Sequence, residues 1–243
     1  EWEVRSGGHD FTCWNTALPK AFRFINEYFN GKRSGNSESS LPNETPFIQT
    51  ANATVYYPEQ AQGSTRKYPI IYVQGEINEQ QQKVLVSQFH QMVDENKTWP
   101  AVLCFVKANT DLSETISDIE KQLSGIRGSQ RMRALITLGD NIKEGIEAIQ
   151  GENLFTGIVC VNAIGNENDA QNLIKAVNSY KRYPRCWIEI LPESKEYGFS
   201  SNIHILLKES DLEHEFRSRK CKEANVFTYW EDWILYLNNR IHV

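Results

Sequence analysis

The sequence predicts an α/β fold with a mainly parallel central sheet and helices on both faces, on three observations. Continuous apolar runs of strand length recur at 68–73, 101–106, 134–138, 157–162 and 186–191. Amphipathic stretches of helical period separate them. These strands lack in/out polar alternation, the pattern of a strand buried on both sides, and such strands need crossover helices to cover both faces. At 243 residues the chain is long enough for one large α/β domain and too short for two of ordinary size.

The elements follow in order. Residues 1–30 read as a strand, a glycine loop and a helix over 17–29, whose Ala21, Phe22, Phe24, Ile25 and Phe29 fall mostly on one face. Residues 31–46, rich in Gly, Ser and Asn, read as a linker, so 1–30 form an extension and 47–243 the main domain. The β-branched and aromatic run at 53–57 predicts a strand, and the polar turn through Gly63-Ser64 leads to the strand at 68–73. That turn predicts that these two strands pair as an antiparallel edge. Then come a helix over 79–96, the strand 101–106, a helix over 112–123 and the strand 134–138. A helix over 143–149, the strand 157–162, a helix over 170–180, the strand 186–191 and a helix over 201–208 continue the alternation. A short strand at 213–218 and a helix opened by Trp230 close it.

The beginning of the chain nearly recurs at its end. Glu1-Trp2-Glu3-Val4-Arg5-Ser6, with His9 and Trp14 beyond it, returns as Glu213-His214-Glu215-Phe216-Arg217-Ser218, with Asn225 and Trp230. Both copies read as strand, loop and helix. Counting back five residues from each Trp sets Asn225 opposite His9, so a base delivered by this unit survives only in the first copy.

A formal charge of −5, from 26 basic and 31 acidic residues, gives no electrostatic footprint for nucleic acid and no polybasic membrane segment. No apolar run approaches the roughly 20 residues that span a bilayer. The opening residues lack the regions of a signal peptide. The expectation is therefore a cytoplasmic protein, or an extracellular or periplasmic one whose leader lies outside this sequence. Cys13, Cys104, Cys160, Cys186 and Cys221 are scattered without a CxxC or zinc spacing and read as small buried hydrophobes; no metal or cofactor is expected. The triplets at Asn43, Asn52 and Asn96 are glycosylation acceptors only in a eukaryotic secretory route.

Several segments together resemble a family. Thr54-Val55-Tyr56-Tyr57-Pro58 and Lys67-Tyr68-Pro69-Ile70-Ile71-Tyr72-Val73-Gln74-Gly75 are similar to the VYLPP-type and KYPVLYLLHG-type strands that open the esterase family of α/β-hydrolases, which includes feruloyl, acetylxylan and enterochelin esterase-like proteins. Asn153-Leu154-Phe155-Thr156-Gly157-Ile158-Val159 resembles the strand entry after that family's nucleophile helix. Gly7-Gly8-His9-Asp10-Phe11, with Trp14 and Leu18, is similar to the GGHDW-x-x-W-x-x-x-L segment that carries the family's catalytic histidine and closes its domain. The resemblance implies an α/β-hydrolase-like domain over 47–243, preceded by the tail of another copy.

Measured against that family, the main domain is degenerate. The nucleophile belongs in a G-x-S-x-G elbow, a sharp strand-to-helix turn that needs small flanking residues. Aligned by the strand before it and the helix after it, Asp140 takes the serine position, between Leu138 and Ile142. An aspartate can act as a nucleophile through an ester intermediate, but these flanks favour Asp140 as a helix N-cap. The oxyanion loop keeps Gly75 but carries Gln74, Glu76 and Ile77, and an acidic side chain there opposes developing negative charge. Glu193 and Glu196 lie near the position of the triad acid without its usual Gly-x-x-Asp setting. Asn225 stands where the base should be and cannot exchange a proton near neutral pH. His9 keeps the base and lacks a serine.

Three functions follow as expectations. The first is a non-catalytic esterase-like domain that binds, scaffolds or oligomerises, linked to a carbohydrate ester or to an upstream esterase domain. The second is part of a carboxylic ester hydrolase in which His9 completes a site with a serine from an upstream domain or another chain. The third is a hydrolase with Asp140 as nucleophile. No nucleic-acid or membrane partner is expected.

Overall fold

The computed structural model describes residues 47–58, 67–122, 133–151, 155–180, 184–191, 197–219 and 226–241, with side chains of the final helix described through Leu237. The extension, the linker, His9, Glu193, Glu196 and Asn225 lie outside the described residues.

Eight strands form one sheet in the order β1-β2-β4-β3-β5-β6-β7-β8. In chain order they are β1 (Phe47–Gln49), β2 (Ala53–Tyr56), β3 (Ile70–Gln74), β4 (Val102–Val106), β5 (Arg133–Leu138), β6 (Gly157–Val161), β7 (Arg185–Ile190) and β8 (His214–Ser218). The helices are α1 (Glu79–Asp94), α2 (Leu112–Gln122), α3 (Ile142–Gln150), α4 (Glu167–Asn178), α5 (Tyr197–Glu209) and α6 (Trp230–Ile241). From β4 to β8 every pairing is parallel; β1 and β2 are antiparallel.

The antiparallel edge differs from the expected one. β2 pairs with β4, setting Val55 opposite Cys104, rather than with β3. β3 instead lies between β4 and β5, parallel to both. The reason is burial. All five residues of β3 are buried, so its apolar surface demands a central place. β2's antiparallel partner at the edge is β1, three residues of which only Phe47 is even half-buried, too short and too exposed to leave an apolar signature.

Two cores lie on opposite faces of the sheet. Leu112, Ile116 and Ile119 of α2, Ile142, Ile146 and Ile149 of α3, Leu173 and Val177 of α4 and Ile203 and Leu207 of α5 bury one face around Tyr72, Cys104 and Ile158. Leu85, Phe89 and Met92 of α1, with Trp230, Trp233, Ile234 and Leu237 of α6, bury the other around Ile71, Val73, Ile136 and Val159. Two helices begin with reciprocal caps. Asn78 accepts from Gln81 N at 2.9 Å while Gln81 accepts from Asn78 N at 3.0 Å, and Asn166 with Asp169 repeats the arrangement. No described helix is long and apolar enough to cross a membrane.

Candidate functional site

Parallel strands direct their C-terminal ends to one edge of the sheet, where ligands of such sheets bind. Here that edge is built from the turns after β3, β5 and β6. At the end of β5 the chain leaves Leu138 in extended conformation, passes through a single 3-10 turn at Gly139–Asn141 and enters α3. Gly139 holds the left-handed backbone this reversal requires, with φ of +64°, and a Cβ built on it meets nothing within 4 Å. Its carbonyl accepts from Ile164 N at 2.9 Å, tying the turn to the loop after β6.

Asp140 follows that glycine and is exposed. The helix cap falls on Asn141 rather than Asp140, and Asn141's side chain makes no capping bond. It is buried and used as a clamp: Nδ2 donates to Leu138 O at 2.8 Å and to Asp140 Oδ1 at 3.3 Å, while Oδ1 accepts from Asn109 N at 3.0 Å. Asn109 is itself left-handed, φ of +55°, so the clamp fixes the turn after β4 against the end of β5.

The loop after β3 reaches the same edge. Gly75 is buried, and its N–H donates to Val106 O at 3.3 Å. A Cβ there would lie 2.8 Å from both Cβ and Cδ1 of Leu138, so the glycine is demanded by the leucine that precedes the β5 turn. Gln74 is fully buried and donates through Nε2 to Thr110 O at 2.9 Å. Glu76 is exposed beside Gly75.

Of the residues singled out from sequence, the described structure thus brings Gly75 and the Gly139-Asp140 turn to one edge, with Leu138 packed between the two loops. The described thiols offer no replacement nucleophile: Cys104, Cys160 and Cys186 are buried, and burial pushes all three upward, Cys160 to about 12, so they stay protonated at neutral pH. Among the described residues no three His, Cys, Asp or Glu side chains converge on a metal-sized position.

A second polar cluster, which sequence reasoning missed, sits near the end of β7. Glu189 is fully buried and accepts from Trp187 Nε1 at 2.7 Å and Trp233 Nε1 at 3.3 Å, with Arg219 Nε 3.2 Å away. Desolvation raises its pKa, opposed by the indole donors and by Arg219. Arg219 also pairs with Asp232 and lies 4.0 Å over the ring of Tyr229. Trp187, Arg217, Arg219, Asp232, Leu235 and Tyr236 line an adjoining open cleft of about 440 Å³. The single glutamate in the run Cys186-Trp187-Ile188-Glu189-Ile190 was the available signal. Its arginines are paired, Arg217 with Glu215 at 2.9 Å and Arg219 with Glu189 and Asp232.

An eight-stranded, mostly parallel sheet of this order, with helices on both faces and a strand-to-helix turn after β5, is an α/β-hydrolase fold. Solved structures with the same architecture include a ferulic acid esterase (TM-score 0.61, 13% identity, covering 77% of this chain and 91% of that one). The S-formylglutathione hydrolase FrmB from Staphylococcus aureus (TM-score 0.56, 14% identity, 78% and 89%) and the BES protein from Bacillus cereus (TM-score 0.60, 11% identity, 85% and 99%) share it too. No family model and no curated protein matches the sequence.

Proposed function

We propose that residues 47–243 form a non-catalytic esterase-like domain, with a binding, scaffolding or oligomerising role beside an ester-hydrolysing partner. Gly139 carries this reading. The tip of the turn after β5 is where an α/β-hydrolase fold presents its nucleophile, on a sharp and strained backbone. The left-handed residue at that tip is Gly139, one position before the Asp140 that the sequence alignment set at the serine position, and a glycine has no side chain to attack with. Space for a side chain exists above it, so the chemistry is missing rather than sterically covered. Leu138 against Gly75 and the exposed Glu76 add to the argument, since both loops would have to supply donors to a tetrahedral intermediate.

The structural neighbours named for ferulic acid and S-formylglutathione hydrolysis support ester or thioester chemistry as the ancestry of the domain. A carbohydrate ester is the ligand class that the sequence resemblance adds. The extension bearing His9 is assigned to an upstream esterase copy on the same basis.

Hydrolysis of a nitrophenyl acetate by the purified chain, beside His9→Ala and Asp140→Asn, tests the reading. The expected rate equals the buffer blank in all three. Turnover lost in Asp140→Asn would establish an aspartate nucleophile, and turnover lost in His9→Ala a site completed by the extension; either overturns the proposal.

A further inference from the structure

Away from the β5 turn, α5 and the edge strand β8 meet through two imidazoles. His204 Nδ1 lies 2.7 Å from His214 Nε2, and His214 Nδ1 lies 2.7 Å from Leu212 O. A carbonyl only accepts, so Nδ1 of His214 carries its proton and Nε2 presents a lone pair. His204 is held in place by its ring, stacked on Phe216 with centroids 4.4 Å apart and planes 25° from parallel. Both histidines are half-buried, so solvent reaches the pair.

We propose that His204 and His214 form a binding site for a divalent transition-metal ion that prefers imidazole, such as zinc, with water completing its coordination. Two independent features support it. First, the two ring nitrogens already converge. With metal–nitrogen bonds of about 2.1 Å, neighbouring ligands stand about 3.0 Å apart at a right angle and about 3.4 Å apart at a tetrahedral one, so the pair need open by only about 0.3–0.7 Å. Secondly, the Leu212 carbonyl holds His214 through its other ring nitrogen, the arrangement that metal-ligating histidines use to fix tautomer and ring direction. Binding asks the two rings to part and turn until both lone pairs meet at the ion, and one proton shift: the proton on His204 Nδ1 passes through solvent to Nε2 of the same ring, freeing the Nδ1 lone pair.

No third described imidazole, thiol or carboxylate joins the two, so the ion would be exchangeable and open to further ligands. It would bridge a helix on one face to the last strand of the sheet, replacing a single hydrogen bond by two coordinate bonds.

Titration of the full chain with zinc chloride, followed calorimetrically with magnesium chloride as control, tests the site. One zinc ion binds, magnesium does not, and His204→Gln and His214→Gln each weaken zinc binding by at least about tenfold. Thermal unfolding supplies a second readout: zinc raises the midpoint of the wild type more than that of either variant, each compared with its own metal-free midpoint. Equal zinc affinity in wild type and variants, or no zinc binding by the wild type, overturns the proposal.

Discussion

Gly139 and Gly75 are both required, for different reasons, and substitutions separate them. At Gly139 the obstacle is backbone alone, because a Cβ finds open space at φ of +64°. Gly139→Ala is therefore expected to cost about 1–2 kcal/mol by denaturant unfolding, and Gly139→Asn clearly less, since asparagine tolerates the left-handed region. At Gly75 the obstacle is Leu138, whose Cβ would stand 2.8 Å from the new methyl group, an atom that cannot swing away. Gly75→Ala is expected to cost about 1–3 kcal/mol, the range for overpacking. Gly75 was legible in the sequence as a loop glycine, but the leucine that demands it was not, because their contact joins residues on neighbouring strands. Glu189 gives a prediction in pH. Its folded pKa is raised above its ordinary 4.5, so the folded state holds the proton more tightly than the unfolded chain. The stabilisation is full below 4.5 and is lost as pH rises through the raised value. Chemical denaturation of the wild type against Glu189→Gln across that window should show their stability difference shifting in this direction; a difference independent of pH would exclude the linkage.

At the scale of elements, the strands were the most legible and the turns the least. Continuous apolar runs mark strands buried on both faces, and β3 to β7 stand within two residues of where those runs place them. α5 begins at Tyr197, earlier than the expected 201, because Phe199 and Ser200 are buried although the opening of that helix has no apolar period. The asparagines were illegible as structural parts: Asn109 and Asn162 are left-handed, and Asn162 Oδ1 accepts from Leu191 N at 2.8 Å, ending β6 against β7. Side-chain bonds of this kind depend on neighbours remote in sequence. Asn166→Ala, which breaks a reciprocal cap, is expected to cost about 1 kcal/mol in thermal or denaturant unfolding. Asn141→Ala should cost more, about 1–3 kcal/mol, because it removes two side-chain bonds at once, to the Leu138 carbonyl and from the Asn109 N–H.

For the whole molecule, the sheet order was half legible. Alternating strands and helices predict parallel neighbours, but nothing local reveals that β4 crosses outside β3 or that β2 turns antiparallel onto β4. The strand pairings join segments far apart in sequence, so loop closure must precede most of the contacts that reward it. α6 sharpens this. It is the final described helix in the chain, yet it packs across the middle of the sheet, with Trp230, Trp233 and Leu237 buried against strands made much earlier, and Leu237 pressed against Gly157. During synthesis, then, the part of that face over β5 and β6, which α1 does not cover, remains open until residues 230–237 have left the ribosome. The nascent chain carries an uncovered apolar patch from the emergence of β5 and β6 until then, and that patch waits on translation for its cover.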